Sequence, residues 1–551
     1  MIRSLKLLVL ALLLAVCVVH AVIEPSLYSP DDNVKILNND SLEIELYNSS
    51  NCNFVQFYNY FCGDCRRYAA TFKKLSWKLY DWRRVLSVLA VDCAQEINVK
   101  ICRDYHIRQT PTLIVFPPHF QRTENDLGFE IDKREPDEII STLAEYISKI
   151  KFTQQEHPNF EPINKTENVF TADEDLTEDC KSKPYTVLVY QPLNSTIGRD
   201  LILELLTWPM VTVRIVDNRA LLGSLGLIPE SDELAIMDCV GNVSPLEPEN
   251  STLTAYVASA TRFLQSANYQ PVAPLVTTQA PTVAKYFIDE EQQAIISTVL
   301  SQQPKVYRAD LEQAIDSLLH TELPKVPVFK GDNMLALQQL INVLRLFNPL
   351  NASGKLLLDR IYTFVNSIGN NGELSGVAFQ LQVQNLEKKL PKVFKSKRYV
   401  GCIGSGPFLR GFTCSIWTLF HFLSVESSKT AVLPPGAVLR TLHGFVQHFF
   451  GCKDCVQHFL GMAERRKLFS VNTYDAEILW LWEAHNEVNQ RLAGDSTEDP
   501  KFPKQQYPGP DICGKCYDTT WSRNEVLSFF KAIYDRKNLS TYGLPTPIGY
   551  D

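Results

Sequence analysis

Apolar residues recur along this chain in two rhythms, and the change from one to the other divides it. Over residues 22–150 short apolar runs alternate with helical patterns. Asn53-Phe54-Val55-Gln56-Phe57-Tyr58 has the near-continuous apolar character of a buried strand and leads into Phe61-Cys62-Gly63-Asp64-Cys65. Ala69, Phe72, Leu75 and Leu79 then follow at helical spacing. Val85 to Val91 predicts a second strand, Thr110-Pro111-Thr112-Leu113-Ile114-Val115-Phe116 a third with proline at its start, and residues 137–150 an amphipathic helix. Residues 155–268 repeat the alternation without a cysteine pair: Tyr185–Tyr190 and Val211–Val216 read as strands, Leu253–Phe263 as a helix. Residues 269–283, rich in Pro, Thr, Val and Ala, read as a linker. From residue 284 the helical period takes over, in Leu311–Leu319, Met334–Phe347 and Lys355–Ile368, and a second helical block runs over 393–537. The first of these blocks offers no convergent polar or cysteine cluster, so its expected role is packing scaffold.

Composition adds context. The 551 residues are 45% hydrophobic and 21% charged, which excludes a mostly disordered or fibrous chain. A net charge of −8 gives no reason to expect nucleic acid or an anionic membrane as partner. Arg3 and Lys6, the apolar run Leu7–Val19 and the small-residue site Val19-His20-Ala21 predict a secretory signal over residues 1–21, and no later run is long enough for a transmembrane anchor. Asn-x-Ser/Thr tripeptides at Asn39, Asn48, Asn164, Asn194, Asn242, Asn250, Asn351 and Asn538 agree with export through the endoplasmic reticulum and Golgi and a final extracellular location. Of the 14 cysteines, Cys17 falls in the signal. The remaining odd number implies at least one thiol outside an internal pair, in a compartment where disulfides persist.

Cys62/Cys65, Cys452/Cys455 and Cys513/Cys516 are three Cys-x-x-Cys pairs. A pair at this spacing closes a small disulfide ring with little motion. A first cysteine at a helix N-terminus has its thiolate stabilised by the dipole and the free N–H groups, and the thiolate is the attacking species in disulfide exchange. The order strand, Phe-Cys-Gly-Asp-Cys, helix and later Thr-Pro strand resembles a thioredoxin or protein disulfide isomerase domain. The resemblance makes Cys62 the exposed attacking residue and Cys65 the resolving one, and implies a cis Pro111 facing the pair. Phe61 and Asp64 stand where that family has Trp and His. A carboxylate at 64 is expected to raise the Cys62 pKa and make the pair less oxidising. Cys93 and Cys102 are expected to form a static disulfide, Cys180 and Cys239 to pair across the second thioredoxin-like segment, and Cys52, before a buried strand, to be an inert thiol.

The last third carries Arg410-Gly411-Phe412-Thr413-Cys414-Ser415-Ile416-Trp417-Thr418-Leu419-Phe420-His421, then Gly451-Cys452-Lys453-Asp454-Cys455-Val456-Gln457-His458-Phe459, then Trp482, His485, Asn486 and Asn489 along one helical stripe. Trp417 with His421, and Asp454 with His458, share helix faces. A mixed Trp-His-Asn-Asn stripe suits a flat heteroaromatic ligand. Cys402 and Cys414 flank Gly404-Ser405-Gly406 and are expected to clamp it. In this order the motifs resemble the Erv/ALR flavin module, and with the segment ahead of them the chain resembles the quiescin sulfhydryl oxidases. The resemblance implies FAD bound by Arg410, Trp417, His421, Asp454, His458, the stretch Trp482, Glu483, Ala484, His485, Asn486, Glu487, Val488 and Asn489, then Lys504 and, where the family has Trp, Tyr507. It implies Cys452/Cys455 as the pair beside the flavin, with Cys455 nearest it, and a structural or auxiliary Cys513/Cys516.

The expected fold is multidomain, α/β followed by all-α. A thioredoxin-like domain over 22–152 is followed by a second without the motif over 153–268, the linker, a helix-rich region over 284–392, an Erv/ALR helical bundle over 393–540 and a tail over 541–551. The expected activity is oxidation of reduced protein thiols by oxygen with hydrogen peroxide as product, FAD as cofactor, no metal, and a monomer that carries its own shuttle. A flavin-free isomerase or chaperone is the alternative, and a four-thiolate zinc site built from Cys452, Cys455, Cys513 and Cys516 a further one.

Overall fold

The computed structural model describes residues 26–152, 157–163, 184–272, 289–369 and 371–545. The expected signal, Cys180 and most of the linker lie outside them, as do the last residues of the tail. The first unit is a five-stranded sheet in the order β1-β3-β2-β4-β5, from Lys35–Leu37 (β1), Cys52–Tyr58 (β2), Leu86–Asp92 (β3), Thr112–Phe116 (β4) and Phe129–Glu130 (β5). β2 is parallel to β3 and antiparallel to β4, and every residue of it is buried, as the apolar run demands of a central strand. Helices Gly63–Lys78 (α1) and Pro136–Ser148 (α2) supply Phe72, Leu75, Ile139 and Leu143 to the core on one face of this sheet.

The second unit repeats the pattern. Tyr185–Tyr190 (β6), Val211–Val216 (β7), Leu234–Asp238 (β8) and Val243–Pro245 (β9) form a sheet in the order β7-β6-β8-β9. Its parallel pair followed by two antiparallel ones reproduces β3-β2-β4-β5. Leu203 and Leu206, around the end of helix Ile197–Glu204 (α3), join the core of the first unit beside Trp82. The two units are therefore packed against each other through α3 and the segments around Trp82 and α2. Helix Leu253–Ser266 (α4) closes the second unit.

The helical blocks share one core, which runs from Val306 to Leu539. Helices Arg308–Ser317 (α5), Asp332–Phe347 (α6) and Ala352–Ser367 (α7) come from the first block. Gly411–Thr430 (α8), Ala437–Phe449 (α9), Lys453–Arg465 (α10), Tyr474–Leu492 (α11) and Arg523–Ile533 (α12) come from the second. α5 packs on α8 and α6 on α9, so the expected boundary at 392 falls between segments that bury each other. α8 buries Ile416, Leu419, Phe420, Leu423 and also His421, Ser424 and Ser427, because neighbours cover it on most sides. Among the described residues no helix is long and apolar enough to cross a membrane.

Candidate active site

Cys62 caps the N-terminus of α1 in extended conformation, with Gly63 as the first helical residue. Burial works against its thiolate, but hydrogen bonds from the Cys65 thiol and from the backbone N–H groups of Cys65 and Asp64 win, and its pKa lies below the ordinary thiol value. Burial, together with the bond to Cys62, pushes Cys65 well above it. The expected effect of Asp64 is present but offset. Those hydrogen bonds outweigh it, so the net shift of Cys62 is downward and not upward, and Arg134 grips the Asp64 carboxylate in a two-pronged pair at 2.8 and 3.0 Å. The exposure expected of Cys62 is also overturned: its relative exposure is 0%, because the helical bundle covers it.

The covering element is the end of α9 and the start of α10. Cys452 caps α10 as Cys62 caps α1, and is disulfide-bonded to Cys455. The two sulfurs Cys62 Sγ and Cys452 Sγ are 2.8 Å apart. Backbone pairing fixes this approach. Thr110 N–H donates to the Gly451 carbonyl at 2.9 Å, Lys453 N–H donates to the Thr110 carbonyl at 3.3 Å, and the Thr110-Pro111 peptide is cis. The Thr110 hydroxyl and the Asn59 amide also donate to the Gly451 carbonyl, at 2.8 and 3.1 Å. A side chain at Gly451 would displace the Asn59 amide from its hydrogen bond to the Gly451 carbonyl, so glycine favours this close approach. Phe61 packs on Phe412 and Phe450 with ring centroids at 4.9 and 5.6 Å, and Tyr60 on Phe408 at 5.5 Å.

Beyond the pair lies an aromatic cage. Trp417 stacks on His485 at 4.5 Å with 12° between planes, and His421 stacks on Tyr534 at 5.2 Å. His421 Nε2 and His485 Nδ1 share a hydrogen bond at 3.2 Å. Burial takes His421 down to about 3 and His485 well below its ordinary value, so both rings are neutral near pH 7. Phe459, four residues after Cys455 on α10, meets the Trp417 ring edge-on, which links the cysteine pair to the cage along one helix face. Arg410 lies over the Phe502 ring at 4.0 Å and donates to the Ile403 carbonyl. It sits at φ 61° just before α8, in a loop tied down by the Cys402–Cys414 disulfide. Such backbone strain costs about 1–3 kcal/mol and persists where the surroundings enforce it. Burial, with Arg410 nearby, lowers Lys504.

The rest of the expected set divides. Trp482 Nε1 and the Asn486 amide both donate to the Tyr507 carbonyl, at 2.6 and 2.8 Å, and Asn489 donates to the Gln505 carbonyl at 3.0 Å. The stripe thus spends much of its hydrogen-bonding capacity holding the 505–507 loop. Tyr507 meets Phe529 and Phe530 edge-on. Glu483 and Glu487 are engaged by Arg465, Arg466 and Arg523, while Ala484 is core and Val488 packs against it. Asp454 pairs with His458 at 3.2 Å and with Arg67 of the first unit at 3.0 Å. Cys93–Cys102 and Cys513–Cys516 are disulfides, and Cys52 is a buried thiol pushed up to about 12 by burial. Cys180, the expected partner of Cys239, lies outside the described residues. Sequence reasoning missed Asn59, Phe502, Tyr534 and Arg67. Phe530 and Tyr534 at helical spacing were the one signal for the far wall of the cage.

Three family models match this chain: thioredoxin over residues 33–145, flavin adenine dinucleotide (FAD)-dependent sulfhydryl oxidase over 302–405, and the Erv1/Alr family over 414–508. Human sulfhydryl oxidase 1 is 31% identical over 546 residues, covering 96% of this chain and 70% of that protein. Human sulfhydryl oxidase 2 is 31% identical over 534 residues, 92% and 73%. This chain belongs to the quiescin sulfhydryl oxidase family. A solved sulfhydryl oxidase fragment of human QSOX1 aligns over 43% of the chain and 98% of the fragment at 34% identity, with a TM-score of 0.40. As a member of the family the protein is an FAD-dependent sulfhydryl oxidase, a flavin-linked thiol oxidase.

The residues of the oxidase fit that cofactor. His421 Nδ1 is buried with no hydrogen-bond partner among the described residues, in an aromatic cage of planar rings. Unsatisfied buried groups of this kind ask for a ligand atom. Arg410 and Lys504 put two cations close together, as a diphosphate would require. The first helical block packs as the expected scaffold does and also carries a polar contact to the site. Most of it lies within the 302–405 match to the FAD-dependent sulfhydryl oxidase model. Its Asp310 accepts the N–H groups of Val400 and Cys402 at 2.7 and 3.2 Å and supports the Arg410 charge.

Proposed function

We propose that this oxidase passes electrons from client thiols through Cys62/Cys65 to Cys452/Cys455 and then to FAD. The observation that carries the reading is the 2.8 Å approach of Cys62 Sγ to Cys452 Sγ, aligned by Thr110 and Gly451. The Cys62 thiolate attacks Cys452 Sγ. The Cys452–Cys455 bond breaks and Cys455 leaves as a thiolate. Cys65 then gives up its proton and attacks Cys62, which releases Cys452 with that electron pair and leaves Cys62–Cys65 oxidised. FAD, held by Arg410, Lys504, His421, His485 and Trp417, supplies the two-electron chemistry that joins the dithiol to oxygen, with hydrogen peroxide as product. Asp454, His458 and the remainder of 482–489 act around that site by holding α10 and the 505–507 loop.

Because Cys62 and Cys65 are covered, a client reaches them only when the first unit leaves the bundle. The two sheet units, joined through Trp82, Leu203 and Leu206, leave together, tethered to the bundle by the linker that the composition of 269–283 predicts. In a Cys65→Ser/Cys455→Ser variant, mild oxidation should trap a Cys62–Cys452 disulfide, identified by peptide mass spectrometry. Trapping through other cysteines, or none, overturns the relay. A crosslink that ties the first unit to the bundle across the 269–283 linker should stop turnover on client dithiols and spare direct reduction of the flavin site; undiminished turnover refutes the swing.

The protein enters the secretory pathway by cleavage of residues 1–21 and acts there or outside the cell as a monomer. Exposed Asn48, Asn194, Asn242, Asn250 and Asn538 carry glycans in this reading. Asn351 does not. It is 5% exposed, it caps α7 by accepting the Gly354 N–H, and its amide donates to the Val393 carbonyl. Glycopeptide mapping of the secreted protein tests each position, and a glycan at Asn351 would contradict the packing.

A further inference from the structure

Immediately after Cys65 the chain reads Arg66-Arg67, and both side chains cross from the first unit to the bundle. Arg67 places Nη2 3.0 Å from Asp454 Oδ2 and Nη1 3.2 Å from Asp495 Oδ2. Arg66 donates to the Thr497 carbonyl at 2.9 Å. The acceptors are organised without help from the first unit. The Thr497 N–H and hydroxyl hold Asp495 Oδ1 at 2.8 and 2.7 Å, which leaves Oδ2 for Arg67. His458 holds Asp454 Oδ1 at 3.2 Å, and Arg491 stands 3.8 Å from Oδ2. Asp454 lies between Cys452 and Cys455 in the chain, and Arg67 lies two residues after Cys65. One guanidinium therefore ties the N-terminal end of one cysteine helix to that of the other.

We propose that Arg67 is a positioning residue for internal disulfide exchange: it seats Cys62 on Cys452 and offsets the Asp454 charge beside the leaving Cys455. The inference rests on the relay proposed above. A carboxylate one position before Cys455 opposes the thiolate that must leave when Cys452 is attacked. Only the docked first unit brings the second carboxylate contact of Arg67 into register with the sulfurs. The flavin-side pair thus accepts electrons more readily from its own shuttle than from a stray thiol that lacks the cation. The pair is about one-third exposed, so salt screens it and its loss slows transfer without unfolding either partner.

The test uses the full-length chain in two backgrounds. With all relay cysteines present, anaerobic stopped-flow follows bleaching of the flavin after mixing with a reduced dithiol, and Cys62–Cys452 trapping in the Cys65→Ser/Cys455→Ser background reports docking without relying on the cofactor. Arg67→Glu should slow both by about tenfold, Arg67→Lys should recover most of the loss, and rising salt should slow the wild type more than Arg67→Gln. Adding Asp495→Asn to Arg67→Gln should cost no more than Arg67→Gln alone, as expected of coupled partners. In a Cys62→Ser/Cys65→Ser background, where the flavin-side pair is reduced directly, Arg67→Glu should not slow bleaching, because Cys452 is uncovered and not lost when the first unit leaves. An unaltered trapping rate in Arg67→Glu, or equal slowing in both backgrounds, overturns the assignment. If Cys62→Ser/Cys65→Ser oxidises client dithiols as fast as wild type, the relay itself fails, a different outcome from either.

Discussion

Replacing Phe61 with alanine separates docking of the first unit from its folding. Phe61 is 7% exposed, yet its neighbours belong to the helical core and not to the core of its own sheet. Its ring sits against Phe412 at 4.9 Å and Phe450 at 5.6 Å. Burying a phenylalanine side chain contributes about 1.5–3 kcal/mol, and each aromatic pair adds about 0.5–1.5 kcal/mol. Part of this is regained because truncation also removes an exposed ring from the undocked state, so a loss of about 3 kcal/mol in docking is the expectation, roughly a hundredfold in the equilibrium. The assay is the rate of Cys62–Cys452 trapping in Cys65→Ser/Cys455→Ser, with and without Phe61→Ala, alongside hydrogen exchange of β2, β3 and β4. Trapping should fall by one to two orders of magnitude while the strands keep their protection. Lost strand protection would mean that Phe61 supports its own domain. Unchanged trapping would mean that the Thr110–Gly451 pairing alone carries docking. Either result refutes the reasoning.

Other expectations follow from single groups. Arg410→Gln removes a buried cation from the cofactor site and should weaken FAD retention by about tenfold or more, measured by flavin fluorescence released on gel filtration; unchanged retention would count against the diphosphate assignment. Arg134→Ala leaves Asp64 unshielded beside Cys62, raising the thiol pKa and making the pair more reducing in a glutathione equilibrium; an unchanged or more oxidising potential refutes the shielding. Burial raises the Asp92 carboxyl to about 7, with N–H groups of Ala94 and Tyr60 pulling the other way. The folded protein therefore binds a proton that the unfolded chain has already lost between about pH 4 and that value, and the contribution of Asp92 to stability declines as pH rises through the window. The Tm of Asp92→Asn should gain on that of wild type over this range, and a constant difference would contradict the raised carboxyl.

The elements and much of the chemistry are legible along the chain. The near-continuous apolar run 53–58 predicts a buried strand, and the three- and four-residue spacings of 334–347 and 355–368 predict helices, because those periods decide which side chains share a face. The cysteine pairs were legible for the same local reason: a helix start beside a thiol is written in adjacent residues. The repeat of the first sheet in the second was visible as a repeated alternation, although the strand order was not. What each polar group does follows from how the elements pack. Trp482, Asn486 and Asn489 read as a ligand stripe, but their hydrogen bonds close on Gln505 and Tyr507, residues that the helical period cannot bring near. Asp64 read as a charge against Cys62, and Arg134, seventy residues on, holds it. Asp310 lay in a block that looked like scaffold, and supports Arg410 from a hundred residues away. Periodicity fixes which face of an element is buried, since that depends on neighbours along the chain. Partners of buried charges, and the meeting of Cys62 with Cys452 across 390 residues, depend on how the elements pack, and no local pattern encodes that distance.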